Sequence, residues 1–229
     1  MIILALDTTA ATATAALTDN DKLIGLYMLN VNLTHSEIML PMIENLLKNS
    51  KIDINDVDIF ACSAGPGSFT GVRIGISLLK GLAFGKERPC VAVSSLQALA
   101  YNLNGFDGII CPVMDARRNQ IYNALFYRGE RLCEDRLTTL NDLKNEIKQY
   151  GHKIYYVGDG YKLIDFNMTE TPEMLRYQNA YSVASCAFAI YANAMENNNR
   201  QFIYTDKTIA PVYLRASQAE RELNIKHGM

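Results

Sequence analysis

Residues 64–75, AGPGSFTGVRIG, hold four glycines in twelve positions and lead into a helical pattern. A glycine-rich turn at the start of a helix exposes backbone amides that can cradle a phosphate. The phosphate loop of nucleotide hydrolases also needs Gly-Lys-Ser/Thr at the helix start, and no such run follows here. Ser68 is the obvious hydroxyl nucleophile, yet it does not sit in a G-x-S-x-G elbow, and no histidine base is placed to serve it, Ser63 or Thr70. Ser68 reads better as an N-cap, its oxygen accepting an amide of the following turn. Gly71 and Gly75 fall one turn apart on one helical face, continued by Leu78, Leu79 and Leu82, and Gly81 and Gly85 form a second pair. Each interior helical glycine costs about 1 kcal/mol relative to alanine, so several in one helix imply close backbone contact. That contact is either with a partner helix or with the chain's own sheet.

Other chemistry is sparse. The three histidines, His35, His152 and His227, have no paired spacing that would hold a metal. His35 falls in the first turn of a helix, where a capping or solvated role is expected. Five cysteines (Cys62, Cys90, Cys111, Cys133, Cys186) are an odd number without a C-x-x-C pair, and most lie in apolar runs. Buried reduced thiols in an intracellular protein are the expectation. A formal net charge of −2 argues against a broadly basic nucleic-acid-binding surface, while leaving room for a local patch.

The elements that would position these groups are legible from periodicity. The chain of 229 residues, 49% hydrophobic and 20% charged, suits one large or two small soluble domains. Strands are expected over residues 2–6, 12–18 and 23–29, the last two separated by the polar turn Asp19-Asn20-Asp21. A helix follows over 34–49, opened by the capping-box pair Thr34 and Glu37, with Ile38, Met42 and Leu46 at four-residue spacing and a bend at Pro41. Then come a strand at 58–63, the glycine loop, a helix at 70–85, a strand at 90–93 and a helix at 94–101. A helix at 140–150, a strand at 153–157 and a helix at 183–195 complete an α/β second half. The N-terminus lacks the basic region and cleavage site of a signal peptide, and no apolar run approaches the roughly 20 residues that span a bilayer. A cytoplasmic location is expected.

At Ile109 the pattern restarts. IICPVMDARRNQIYNAL aligns with MIILALDTTAATATAAL so that Asp115 matches Asp7, each ending an apolar strand before a turn and a second strand. Such a duplication resembles the actin-like ATPase fold, an RNase H-like α/β architecture of two lobes with mixed sheets flanked by helices. The polar turn at 104–108 divides the chain into an N-terminal lobe, 1–104, and a C-terminal lobe, 105–229, whose tail would pack back on the first. The order LALDTT, HSEIMLPMIENLL, AGPGSFTGVRIGISLLKGLAFG, VAVSSLQALA, MDARRNQIYNALF, PVYLRA, from Leu4 to Arg215, resembles the TsaB (YeaZ-like) family.

The resemblance implies a non-catalytic dimerisation subunit. It would pair with the transferase TsaD, which places threonylcarbamoyl on the tRNA adenosine adjacent to the anticodon, and work with the ATPase TsaE. In isolation it would form a homodimer through the same helices. TsaD carries a His-x3-His metal pair; the matching positions here are Ser95 and Leu99, and Leu99 cannot ligate. The first phosphate hairpin of the fold has a glycine two residues after its Asp, where this chain has Thr9; the second hairpin reads Asp115-Ala116-Arg117-Arg118 without glycine. Asp7, Thr9, Asp115 and Arg118 are therefore weak candidates for a residual nucleotide site, and no catalytic or metal residue is expected. The family's partner-facing helices map onto Ile38, Met42, Leu46, Gly71, Gly75, Leu78 and Leu82. Two other readings stay open: an independent actin-like ATPase or small-molecule kinase, and a metalloprotease.

Overall fold

The computed structural model describes residues 1–31, 33–166, 169 and 171–215. His227 and residues 216–229 of the expected tail lie outside them. The chain begins with an antiparallel meander, β1 (Ile2–Asp7), β2 (Ala13–Asp19) and β3 (Lys22–Leu29), followed by α1 (His35–Ser50) and β4 (Ile59–Gly65). Next come α2 (Phe69–Ala83), β5 (Cys90–Ser94) and α3 (Ser95–Tyr101). The second half repeats the opening as β6 (Ile109–Asp115), β7 (Gln120–Tyr127), β8 (Glu130–Thr139), α4 (Leu140–Glu146) and β9 (Ile154–Val157). It ends with α5 (Glu173–Arg176), α6 (Ala180–Asn197) and the short β10 (Ile203–Tyr204).

The repeat is topological. The first sheet contains the order β4-β1-β2-β3 and the second β9-β6-β7-β8, each a three-stranded meander joined by a helix to a parallel fourth strand. The connection after Asp115 is one residue shorter than that after Asp7, running over 116–119 against 8–12. Local sequence explains the starts of the helices. Ser68 caps α2 by accepting the Gly71 amide at 3.3 Å, and Ser94 caps α3 by accepting the Gln97 amide at 3.1 Å. At α1 the Thr34 amide donates to the Glu37 carboxylate at 3.2 Å, one half of the capping box.

The first sheet is six-stranded because the chain comes back to it. β5 and β10 extend it beyond β4, and α6 lies across β1, β2, β4 and β5 on the face opposite α1 and α2. Ile3, Ala5, Ile59 and Ala61 meet Val183, Ala184 and Ala187 there. The expected division at 104/105 falls between the two sheets, and α6 and β10 of the second part return to the first sheet. An apolar sheet face must be covered, and α6 supplies that cover together with Ala98 and Tyr101 of α3.

The orientation of α1 also corrects an expectation. Met42 and Leu46 are buried with Met39 and Ile43 against Leu17 and the rest of the sheet, so they belong to the core and not to a docking face. The outward side carries Ser36, Leu40 and Glu44 instead. Ile38, like Leu78 and Leu82 of α2, is half-buried at the margin of the same core. Leu46→Ala should thus cost about 3 kcal/mol through cavity formation, whereas Leu40→Ala should stay within about 0.5 kcal/mol; urea denaturation of both variants checks it.

Candidate functional site

The glycine loop is pressed onto the first hairpin. A Cβ at Gly71 would overlap the carbonyl oxygen of Thr8, one at Gly67 would stand 2.5 Å from that of Thr9, and one at Gly75 2.6 Å from the Thr8 hydroxyl. Two hydrogen bonds hold the contact: the Thr8 hydroxyl donates to the Gly71 carbonyl at 2.7 Å, and the Ser68 amide to the Thr9 carbonyl at 2.8 Å. Gly71 and Gly75 are accordingly buried and face the chain's own backbone. They therefore form no notch for a partner helix, contrary to the expectation from their spacing. Of the two explanations for a glycine face, packing on the chain's own sheet is the one realised.

Within that hairpin Asp7 is fully buried. One carboxylate oxygen accepts the Thr9 amide at 2.8 Å and the Thr9 hydroxyl at 2.7 Å, and the other accepts the Ser63 hydroxyl. Burial raises its pKa above the usual carboxylate range, against the lowering effect of those hydrogen bonds. Asp7 and Thr9 thus satisfy each other, and the Thr9 amide points at the carboxylate. His35 is part of the same cluster: its Nε2 lies 2.7 Å from the Ala10 carbonyl, so the ring pins the hairpin to α1 instead of standing in solvent.

The second hairpin differs. Asp115 is half-buried and accepts the Arg117 amide at 2.6 Å, while Arg117, Arg118 and Asn119 take left-handed conformations with φ of 64°, 56° and 59° and remain exposed. A second carboxylate lies here that spacing along the chain did not single out. Asp159, in the Gly158-Asp159-Gly160 turn after β9, interacts with Asp115, and burial, then that neighbouring charge, raises its pKa to about 6. The Gly-Asp-Gly run directly after a strand was the available signal. Between the hairpins the lobes meet through apolar side chains, with Ala10 and Leu214 packed against a cluster that includes Leu99, Met114 and Ala116. Arg215 closes the edge by donating to the Ala116 carbonyl at 3.0 Å.

Ser95 and Leu99 are both buried, and Leu99 fills the space beneath Gly158. Among the described residues no group of three or more His, Cys, Asp and Glu is arranged to hold a metal ion. His152 sits on Tyr127, with ring centroids 4.8 Å apart. All five cysteines are free; four are buried, and burial pushes Cys90 up to about 11 and Cys186 up to about 12. No helix among the described residues is long and apolar enough to cross a membrane.

The outer side of α1 and α2 is open to solvent. A groove of about 610 Å³ runs between them, lined by His35, Ser36, Leu40, Arg73, Ile74 and Leu78 among others. Its end is framed by the C-terminal segment: Tyr213 stacks on Phe69 at 4.6 Å, and Arg73 donates to the Tyr213 hydroxyl at 2.7 Å.

The sequence profile of TsaD, tRNA N6-adenosine threonylcarbamoyltransferase, matches residues 30–222. A tRNA threonylcarbamoyladenosine biosynthesis protein TsaB from Bacillus subtilis is 37% identical over 162 residues, covering 69% of this chain and 71% of the relative. The chain belongs to the TsaB family. The TsaB of Buchnera aphidicola subsp. Schizaphis graminum is 30% identical over 199 residues, 82% of this chain and 93% of its own. Among solved structures, YeaZ from Pseudomonas aeruginosa superposes with a TM-score of 0.78 at 25% identity, covering 93% of this chain and 99% of that one. The fold is the two-lobed actin-like ATPase fold, with the mixed sheets and flanking helices described above.

Two outcomes test this geometry. Gly71→Ala should destabilise by more than about 2 kcal/mol, while Gly81→Ala, where a Cβ meets nothing within 4 Å, should stabilise by up to about 1 kcal/mol. Asp159 holds its proton to a higher pH in the folded state than in the unfolded chain. It costs nothing below about pH 4, where both states are protonated, and an increasing amount until about pH 6. Asp159→Asn should therefore raise stability by about 2 kcal/mol at pH 7.5 and change little at pH 4, as read by urea unfolding at the two pH values.

Proposed function

We propose that the protein is a cytoplasmic, non-catalytic partner subunit in the formation of threonylcarbamoyladenosine on tRNA. It pairs with a TsaD-type transferase, and a TsaE-type ATPase completes the set; tRNA is reached through the complex. The observation that carries this reading is membership of the TsaB family, combined with a first hairpin whose Asp7 and Thr9 are engaged with each other. The transferase docks on the groove between α1 and α2, with Leu40, Ile74 and Leu78 as the apolar contacts and Ile38 and Leu82 at its margin. Leu40 is 43% exposed, so the isolated chain leaves apolar surface in water that an interface would cover.

Reconstitution tests the reading. tRNA modification should require this protein together with the transferase and the ATPase, and this protein alone should give none. Leu40→Arg should weaken binding to the transferase by about 100-fold without lowering the melting temperature, because the side chain already faces solvent. Modification by this chain without a transferase would overturn the subunit reading; unchanged binding by Leu40→Arg would move the interface elsewhere. The isolated protein should bind ATP more weakly than about 0.1 mM, less than about 5.5 kcal/mol, by isothermal titration.

A further inference from the structure

Asn104-Gly105, in the turn that joins the two halves of the molecule, is the sole place in the chain where glycine follows asparagine. That pair has a chemistry of its own. When the main-chain nitrogen of the following residue attacks the asparagine side-chain amide, a five-membered succinimide closes and ammonia leaves. A side chain on the following residue obstructs the approach, and glycine has none. A folded protein suppresses the reaction by holding the nitrogen in a hydrogen bond or the asparagine side chain in a fixed rotamer.

This turn does neither. Beyond α3 the amides of Asn102, Leu103, Asn104 and Phe106 each donate to the carbonyl three residues back. The amide of Gly105 is left out of the series and donates to no described residue. Gly105 has a φ of 92°, and nothing stands within 4 Å of the place its Cβ would take. Asn104 is exposed, and its side chain bonds to no described residue. Asn102 supplies the contrast: its Nδ2 donates to the Leu175 and Tyr177 carbonyls at 2.9 and 2.7 Å, and its Oδ1 accepts from Ser182 at 2.6 Å. Asn104 and Gly105 also border a hollow of about 70 Å³, which has room for water, the second reactant. Arg128 lines the same hollow and pairs with Asp107 at 3.6 Å. Its charge favours the anion formed as the Gly105 nitrogen gives up a proton and attacks, while Asp107 opposes it.

We propose that Asn104 is a site of spontaneous deamidation, so that the joint between the two halves changes covalently as the molecule ages. The Gly105 nitrogen loses its proton to solvent and bonds to Cγ of Asn104. The Cγ–Nδ2 bond breaks, and Nδ2 departs as ammonia with a proton taken from water. A second water then opens the succinimide at either carbonyl. Opening at Cγ leaves aspartate on an unaltered main chain. Opening at the main-chain carbonyl leaves isoaspartate, in which the chain runs through Cβ and Cγ. Either product adds one negative charge to the formal −2 of the chain, beside Arg128. The isoaspartyl product also lengthens the connection between α3 and β6 by one atom. The inference concerns this turn alone and stands or falls apart from the proposed function.

Incubation of the folded full chain at about pH 7.4 and about 37 °C, followed by peptide mass spectrometry, tests it. The peptide that holds residue 104 should gain about 1 Da, and part of it should accept a methyl group from a protein isoaspartate methyltransferase. Because both reacting groups are open, the folded chain should react within about tenfold of the rate of the chain unfolded in guanidinium chloride. The rate should rise about tenfold per pH unit from about pH 7 to 9, since the attacking nitrogen must lose its proton. Asn104→Gln would have to close a less favourable six-membered ring and should cut methyl acceptance in that peptide at least about tenfold. Its melting temperature should not change, because the side chain already faces solvent. A folded chain slower than the unfolded one by more than about tenfold, product confined to other asparagines, an Asn104→Gln chain modified as fast as the wild type, or a rate independent of pH would each overturn the proposal.

Discussion

The backbone of Thr8 and Thr9 runs directly under the first two turns of α2, and the rest of the molecule is arranged around that contact. Gly67, Gly71 and Gly75 lack the atoms that would hold the two apart. Gly65 does the same for the C-terminal segment, whose Val212 amide donates to the Ala64 carbonyl at 2.8 Å while its own carbonyl lies where a Gly65 side chain would be. One loop thus brings together the N-terminal hairpin, the second helix and the end of the chain. The helix propensity lost at two interior glycines, about 1 kcal/mol each, is offset by burial and by the hydrogen bonds that close contact permits.

This seating decides what the hairpin can do. Its carboxylate and hydroxyls are directed inward, onto Ser63, the Gly71 carbonyl and one another. A sequence feature that invites a phosphate therefore serves to exclude free space. It also fixes the direction of α2, turning Thr70, Arg73, Ile74 and Ser77 outward beside α1. The candidate interface is the far side of a helix whose near side is locked.

Periodicity made most of the fold legible. The meander, α1 and its Thr34 start, the glycine helix and the restart at Ile109 all stand in the sequence, because strand alternation, caps and an Asp at the end of an apolar run are local signals. β8 was not read, since its half-buried residues mix charge and apolarity without clean alternation. The destination of α6 was not read either, because an amphipathic helix announces that it has an inner face but not which sheet it covers. The site was harder for the same reason. Spacing places Gly71, Gly75, Met42 and Leu46 on helical stripes, and a stripe has no sign: inward and outward give one pattern. Asp159 escaped notice because its meaning depends on Asp115, 44 positions away along the chain and adjacent only once β6 and β9 pair.

The return of residues 180–215 to the first sheet has a consequence for the order of folding. A ribosome adds about 5–20 residues per second, so α6 emerges several seconds or more after α3. Throughout that interval Ile3, Ala5, Ile59 and Ala61 are covered on one side by α3 alone, through Ala98 and Tyr101, since Val183, Ala184 and Ala187 do not yet exist. The second sheet draws its strands from residues 109–157 and is available complete before then. The half of the chain made first is therefore completed after the half made second, when α6 and Val212 close it.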